Sequence, residues 1–155
     1  MCWRMGTVRL PRASPVILRP ATLEDAATIS VIHRLAAFLP PLHTAEENLW
    51  FVRDRLMSEN QTWVAEAGGE VVGYIAFNDG WVSHLFVHPD HQGQGHGPAL
   101  LAHVMADQRE RQLWTFKKNV QARKFYEDRG WVLAELTDGQ GNEHKEPEVR
   151  YVWRP

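Results

Sequence analysis

The sequence predicts an α/β fold of the α+β kind: a mixed, mostly antiparallel sheet of about seven strands with helices on both faces. Three features predict it. Helix-capping signals stand at Thr22 with Asp25 and at Thr44 with Glu47. Gly68-Gly69 then parts two apolar runs, the mark of a hairpin. From Trp81 to Gly130 strand-like and helical patterns alternate, which gives the hairpins a β-α-β continuation.

The elements follow in order. Val16 to Thr22, "VILRPAT", reads as a short strand running into the first cap. The helix beyond it carries Ala26, Ile29, Ile32 and Ala36 on one face, and Pro40 and Pro41 end it. The second helix, opened by Thr44, would bury Leu49, Val52 and Leu56. "TWVAEA" and "VVGYIAF" form the hairpin, Asn78-Asp79-Gly80 makes the next turn, and Trp81 to Val87 is the fourth strand. Past Pro98 the spacing of Leu101, Val104 and Met105 is helical. Leu113 to Phe116 is a short apolar strand. Asn119 caps a helix that stops at Gly130, and "WVLAEL" and "VRYVW" close as strands around a polar loop.

Composition narrows the function classes. The 155 residues suit one domain, 15–155, behind a loose N-terminal extension at 1–14 punctuated by prolines. A net charge of −2 argues against a general nucleic-acid binder, which needs a basic face. The single cysteine, Cys2, excludes an internal disulfide framework and suits a reducing cytosol, so a cytoplasmic location is expected. No apolar run approaches the ~20 residues of a membrane span.

The stretch "HPDHQGQGHGPALL", His88 to Leu101, lies directly after a strand and before a helix. Glycines there let backbone approach a ligand, and the helix start offers free N–H groups and a positive dipole end, a ready site for pyrophosphate. A plain tight turn is the alternative for such a pattern standing alone. It is not the dinucleotide fingerprint, because a hairpin precedes the strand and the third glycine is missing.

"LFVHPDHQGQGHGPALL", followed by "NVQARKFYEDRGW", resembles the GNAT superfamily of acyl-coenzyme A-dependent N-acyltransferases. The family's Q/R-x-x-G-x-G/A signature is met by Gln92, Gly95 and Gly97, and its Asn, Ala, Tyr helix signature by Asn119, Ala122 and Tyr126. The element order matches from Val16 to Trp153. The resemblance implies a splayed fourth and fifth strand with the pantetheine arm between them. It implies a pyrophosphate cradle running from Gln92 through Gly93, Gln94, Gly95 and His96 to Gly97. Val87 would hold the arm, and the Leu85 N–H the thioester oxygen, where negative charge builds during attack. Asn119 would touch the cofactor and Tyr126 would protonate the departing thiolate. Pro98, read as a first helical position, removes one N–H from the cradle.

The remaining candidates are weighed by residue type. His88, His91 and His96 could ligate zinc, but such a site without cysteine is unusual, and their spacing tracks a family loop whose side chains mostly face solvent; no metal is expected. Strand alternation puts residues 81, 83, 85 and 87 on one face and turns His84 to the other, which favours packing over a role as base. Family members carry a side-chain base at positions matching Trp81 or Ser83, and neither residue is a good base. A water held by Ser83 is therefore the leading proton route, with His84 the alternative. Phe38, Leu39 and Trp81 could wall an acceptor pocket, or simply pack in the core. His43, in the turn between the first two helices, falls where the family often lines that pocket. The segment Glu135 to Glu148 holds five acidic residues and one lysine, read either as a solvated loop or as a rim that steers a cationic amine.

The resemblance thus implies an acetyl-CoA-dependent N-acetyltransferase acting on a small-molecule amine by direct attack. Two readings stay open beside it: an acyl-CoA-binding domain without turnover, and a protein or peptide N-acetyltransferase. No nucleic acid or membrane partner is expected, and a homodimer is left open.

Overall fold

A computed structural model describes residues 16–155, so the N-terminal extension read at 1–14 and Cys2 lie outside the described residues. The chain forms β1 (Ile17–Pro20), a 3-10 turn (Leu23–Asp25), α1 (Ala26–Ala36) and α2 (Ala45–Phe51). A π-helical turn (Val52–Leu56) and α3 (Met57–Glu59) extend α2. Then come β2 (Gln61–Ala67), β3 (Glu70–Phe77), β4 (Val82–Val87), a 3-10 turn (Pro89–His91) and α4 (His96–Met105). The chain closes with β5 (Arg111–Phe116), α5 (Val120–Glu127), β6 (Val132–Leu136) and β7 (Glu148–Trp153). The predicted order of strands and main helices holds. The first strand is shorter than expected, ending at Pro20, and the π turn had no signal in the sequence.

The local causes are those the sequence offered. Thr44 accepts from the Glu47 N–H at 3.1 Å while Glu47 accepts from the Thr44 N–H at 3.0 Å, closing the predicted capping box. The Thr22 N–H donates to Asp25 Oδ2 at 2.7 Å, and Arg19 clamps the same carboxylate with both terminal nitrogens at 2.8 Å. Gly68 and Gly69 turn the β2–β3 hairpin with positive φ at both positions, as a tight primed turn demands.

The strands form two sheets, one of four strands in the order β1-β2-β3-β4 and one of three in the order β5-β7-β6. Every paired strand is antiparallel. One face of the larger sheet packs Val64, Tyr74 and Ala76 against Ala26, Ile29 and Ile32 of α1 and Val52 and Leu56 of the π turn. The other face packs Ile75 and Phe77 against Leu100, Leu101 and Val104 of α4, continuous with Leu113, Val149 and Tyr151 of the smaller sheet. That second cluster is what joins the two sheets.

Between β4 and β5 the ladder is broken. Among the described residues a single parallel bridge, Trp81 with Gln112, joins the strands at one end, supported by the Gln112 N–H donating to Gly80 O at 3.0 Å. Buried Arg111 anchors that end, donating to Asn78 O and Val104 O and pairing with Asp107 at 2.7 Å. Beyond it the strands part, giving the splayed pair that was expected.

One register detail corrects the strand-face argument. Ala76 pairs with His84 and Phe77 with Val82, so Ser83 is an extra, bulged residue. The bulge breaks alternation at that end. Val82, not Ser83, is buried in the cluster that Leu85 packs against. Trp81 and Ser83 therefore do not simply continue the face of Leu85 and Val87.

Candidate active site

The gap between β4 and β5 opens into a cavity of about 1360 Å³. It runs from the glycine loop, past β4 and Tyr126, to the turn between α1 and α2. Its donors follow from strand pairing. The His88 N–H bonds to Val72 O at 2.8 Å, so alternate residues of β4 from Phe86 back to His84 direct their backbone groups to β3. Leu85 and Val87 then direct theirs the other way, into the gap. The Val87 carbonyl is already held there by Gln92 Nε2 at 3.0 Å.

The glycine loop is shaped by its backbone. His88 Nδ1 accepts from the Asp90 N–H at 3.0 Å and starts the turn. Gly93 and Gly95 have φ of 76° and 90°, a conformation that L side chains rarely adopt. Gly95 is the N-cap of α4, and its carbonyl accepts the first helical bond, from the Ala99 N–H. The amides of Gly95, His96 and Gly97 are thus left without intrahelical partners. Pro98 is the third helical residue rather than the first, and still falls where an N–H would be unpaired.

Cradle residues Gln92, Gly93, Gly95, His96 and Gly97 line the cavity, and Gln94 does not. Contrary to the expectation of a solvent-facing loop, His96 is 2% exposed and its Nδ1 is sealed without a partner. Burial, with His91 beside it, lowers its pKa. The reason is the helix start, which turns His96 inward beneath the loop. The three loop histidines do not converge: among the described residues no three His, Cys, Asp or Glu side chains gather at ligating distance.

Asn119 caps α5 as predicted, its Oδ1 accepting the Ala122 N–H at 3.1 Å, and it lines the gap with Ala122 and Tyr126. Tyr126 is 8% exposed, packed against Phe125, Trp131 and Tyr151. Its hydroxyl makes no hydrogen bond, yet it is not among the sealed polar atoms, so it opens into the gap. Burial raises the phenol pKa well above its ordinary value, so it keeps its proton.

The predicted acceptor residues divide. Phe38 and His43 line the cavity, and Trp81 does not. Ser83 touches only the narrow gap, and its hydroxyl donates to Asn60 Oδ1 at 3.1 Å. His84 turns away from Leu85 toward the helices, bonding Tyr74 OH through Nδ1 at 2.9 Å. Burial, reinforced by His33, pushes its pKa down to about 3. It packs, as expected, but it also lines the cavity.

Two residues that sequence reading left aside complete this wall. His33 Nδ1 stands 2.9 Å from Asn48 Oδ1, and buried Asn48 donates to Ser30 Oγ at 2.6 Å and Ser30 O at 3.2 Å. The signal was present: His33 falls four residues after Ile29, at the border of the apolar face. The mouth carries Trp50, Phe51 and Trp114, all part-exposed, with Glu46, Glu47, Glu143 and Glu148. His43 spans two of these, 2.9 Å from Glu143 and 3.6 Å from Glu47, and the Glu143 contact raises its pKa. That bridge ties the α1–α2 turn to the late acidic loop.

A strand pair opened around outward amides, beside a glycine-led helix start, makes one cleft lined with free backbone donors. A family model of the acetyltransferase (GNAT) domain matches residues 58–133. The peptidyl-lysine N-acetyltransferase YiaC of Escherichia coli is 29% identical over 85 residues, covering 54% of this chain and 58% of YiaC. The L-amino acid N-acyltransferase MnaT of the same organism is 28% identical over 100 residues, covering 58% of each chain. The chain thus spans little more than half the length of these curated relatives. The structure of yncA from Salmonella typhimurium, solved with its cofactor acetyl-CoA, superposes with a TM-score of 0.70 at 20% identity, covering 91% of this chain and 94% of that one. Residues 58–133 thus carry a GNAT acetyltransferase domain.

Proposed function

We propose that the protein is an acetyl-CoA-dependent N-acetyltransferase whose acceptor is a small cationic amine with an apolar or aromatic body. The observation that carries this is the single cavity in which the glycine loop, the outward amides of β4, Tyr126 and an acidic aromatic mouth all meet. The residues fit acetyl-CoA. Free amides at Gly95, His96 and Gly97 suit a pyrophosphate, and the parted strands leave donors for an extended amide-bearing arm. Leu85 N–H is a preplaced donor for the oxygen that gains charge when the thioester is attacked. Tyr126, protonated and facing the gap, supplies a proton to the leaving sulfur. The backbone amides stabilise the developing negative charge whichever group takes the amine proton, so that task does not depend on Ser83.

The acceptor class follows from the mouth. Arg34 is the one Lys or Arg among the lining residues, and its Nη1 is 2.6 Å from the His43 carbonyl, while four carboxylates line the same wall. Such a field draws a cation and disfavours a second carboxylate on the substrate. Part-exposed Trp50, Phe51 and Trp114 suit a flat apolar body. YiaC and MnaT are named for peptidyl-lysine and L-amino acid acceptors, so those two classes are the rivals to test. Thiol release from acetyl-CoA should be followed with arylalkylamines, alkylamines, amino acids and lysine peptides. Acceptor-dependent release with the amines, and far less with amino acids, is expected. Acetyl-CoA binding with no release for any acceptor would overturn the proposal in favour of a non-catalytic acyl-CoA-binding domain.

A further inference from the structure

We propose that His33 is the group that takes the proton from the acceptor nitrogen, oriented by Asn48 and screened by His84. This rests on the acetyltransferase reading above and adds the base that the sequence did not supply.

Asn48 Nδ2 is committed to Ser30, with bonds to Oγ and O, so its Oδ1 faces His33. An amide oxygen only accepts, so His33 Nδ1 must carry the hydrogen and donate. The lone pair of the neutral ring is then on Nε2. That atom has no protein partner and is not sealed, and His33 lines the cavity. A base whose second nitrogen is pinned by a third residue is the arrangement that proton transfer requires. His84 is its neighbour, with ring centroids 4.7 Å apart, and Phe86 lies 5.1 Å from His33 and 5.4 Å from His84, so the three rings form one cluster. Two imidazoles this close do not both take a proton. His84 has Tyr74 OH on its Nδ1 and is held neutral by burial, whereas Asn48 Oδ1 stabilises a cationic His33. The proton therefore falls to His33. The charged or titratable groups around it are Arg34 on α1, Glu46 and Glu47 on α2, Tyr74 on β3 and His84 on β4.

The balance closes. The ammonium first gives one proton to bulk water; the neutral amine then forms the C–N bond, its nitrogen loses a second proton to His33 Nε2, the C–S bond breaks, and sulfur takes a proton from Tyr126. Water then carries the proton from His33 back to the phenolate. Because burial lowers the His33 pKa, the base form is present through neutrality and lost only as pH falls below 6.5.

Three measurements test this. Ring ¹⁵N spectra of the full chain at pH 7 should give neutral His33 as the Nδ1–H tautomer; the Nε2–H tautomer would overturn it without any acceptor. His33→Gln should lower kcat at saturating amine by roughly tenfold to a thousandfold with acetyl-CoA affinity within about twofold. Asn48→Asp, which places a carboxylate beside the ring, should move the acidic limb of kcat up by about one pH unit. An unchanged limb in Asn48→Asp, or parental kcat in His33→Gln, overturns the assignment, as does loss of the limb in His84→Gln alone. A parent protein that binds no acetyl-CoA fails at the underlying acetyltransferase reading instead, which separates the two.

Discussion

The Tyr126 ring packs between Phe125, Trp131 and Tyr151 while its hydroxyl opens onto the gap between β4 and β5. Removing only that oxygen keeps the packing and removes the proton donor proposed for the leaving sulfur. Tyr126→Phe should lower kcat by roughly tenfold to a thousandfold, because a thiolate leaves slowly but measurably without its proton. Acetyl-CoA affinity should hardly move, since the phenol matters when charge develops on sulfur. Steady-state thiol release with binding measured separately reads both, and a parental kcat with chemistry rate-limiting would contradict the role. His84 makes a different prediction at the same scale. Its pKa is about 3 in the fold against 6.5 for a free imidazole, so between those values the unfolded chain binds more protons. The associated stability is whole above 6.5 and is lost as pH falls toward 3, on the order of a few kcal/mol. Urea midpoints at pH 7 and 4 should differ less in His84→Gln than in the parent; equal differences would contradict a neutral, buried His84. Asn119 was legible as a helix cap from its residue type and place, whereas Tyr126 entered through the family signature. His33 and Asn48 were not legible, because their meaning lies in a contact across 15 residues.

Among the elements, those with local causes were read best. Both capping signals, the Gly68-Gly69 turn and the Asn119 cap depend on neighbours within four residues, and each stands where the sequence put it. The π turn and the β4 bulge depend on packing and register between strands, which no local window carries. The bulge is why the face assigned to Trp81 and Ser83 was wrong. The glycine loop was legible as a turn, and the structure adds that Gly95 is left-handed, with φ of 90°. Gly95→Val should weaken acetyl-CoA binding at least tenfold, because the amides at the start of α4 would be displaced. It should also cost the fold roughly 1–2 kcal/mol, since φ of 90° strains any L side chain, although a Cβ there meets nothing within 4 Å. Calorimetry beside a urea titration separates the two effects. Unchanged affinity in a folded variant would remove the cradle.

At the scale of the whole molecule, the two sheets are joined by one core and parted along one seam, and the glycine loop, Leu85, Val87, Asn119 and Tyr126 line the cavity at that seam. The fold class was legible because hydrophobic period and turn chemistry determine it. The seam itself was legible only by family resemblance, since a missing ladder leaves no trace in composition. What the mouth selects was partly legible: the acidic excess of Glu135 to Glu148 was plain, but only two of its carboxylates, Glu143 and Glu148, reach the cavity. Glu135 and Glu146 are spent on Arg150 and Lys118. No helix among the described residues is long and apolar enough to cross a membrane. The central claim is transfer of an acetyl group to a cationic apolar amine held at this seam. The most direct test is a one-pot competition: the protein, acetyl-CoA, an arylalkylamine, an amino acid mixture and a lysine peptide, with the products identified by mass spectrometry. One acetyl group on the arylalkylamine nitrogen is expected, with the amino acids and the peptide left largely unmodified. Acetylation confined to the peptide or the amino acids would contradict it.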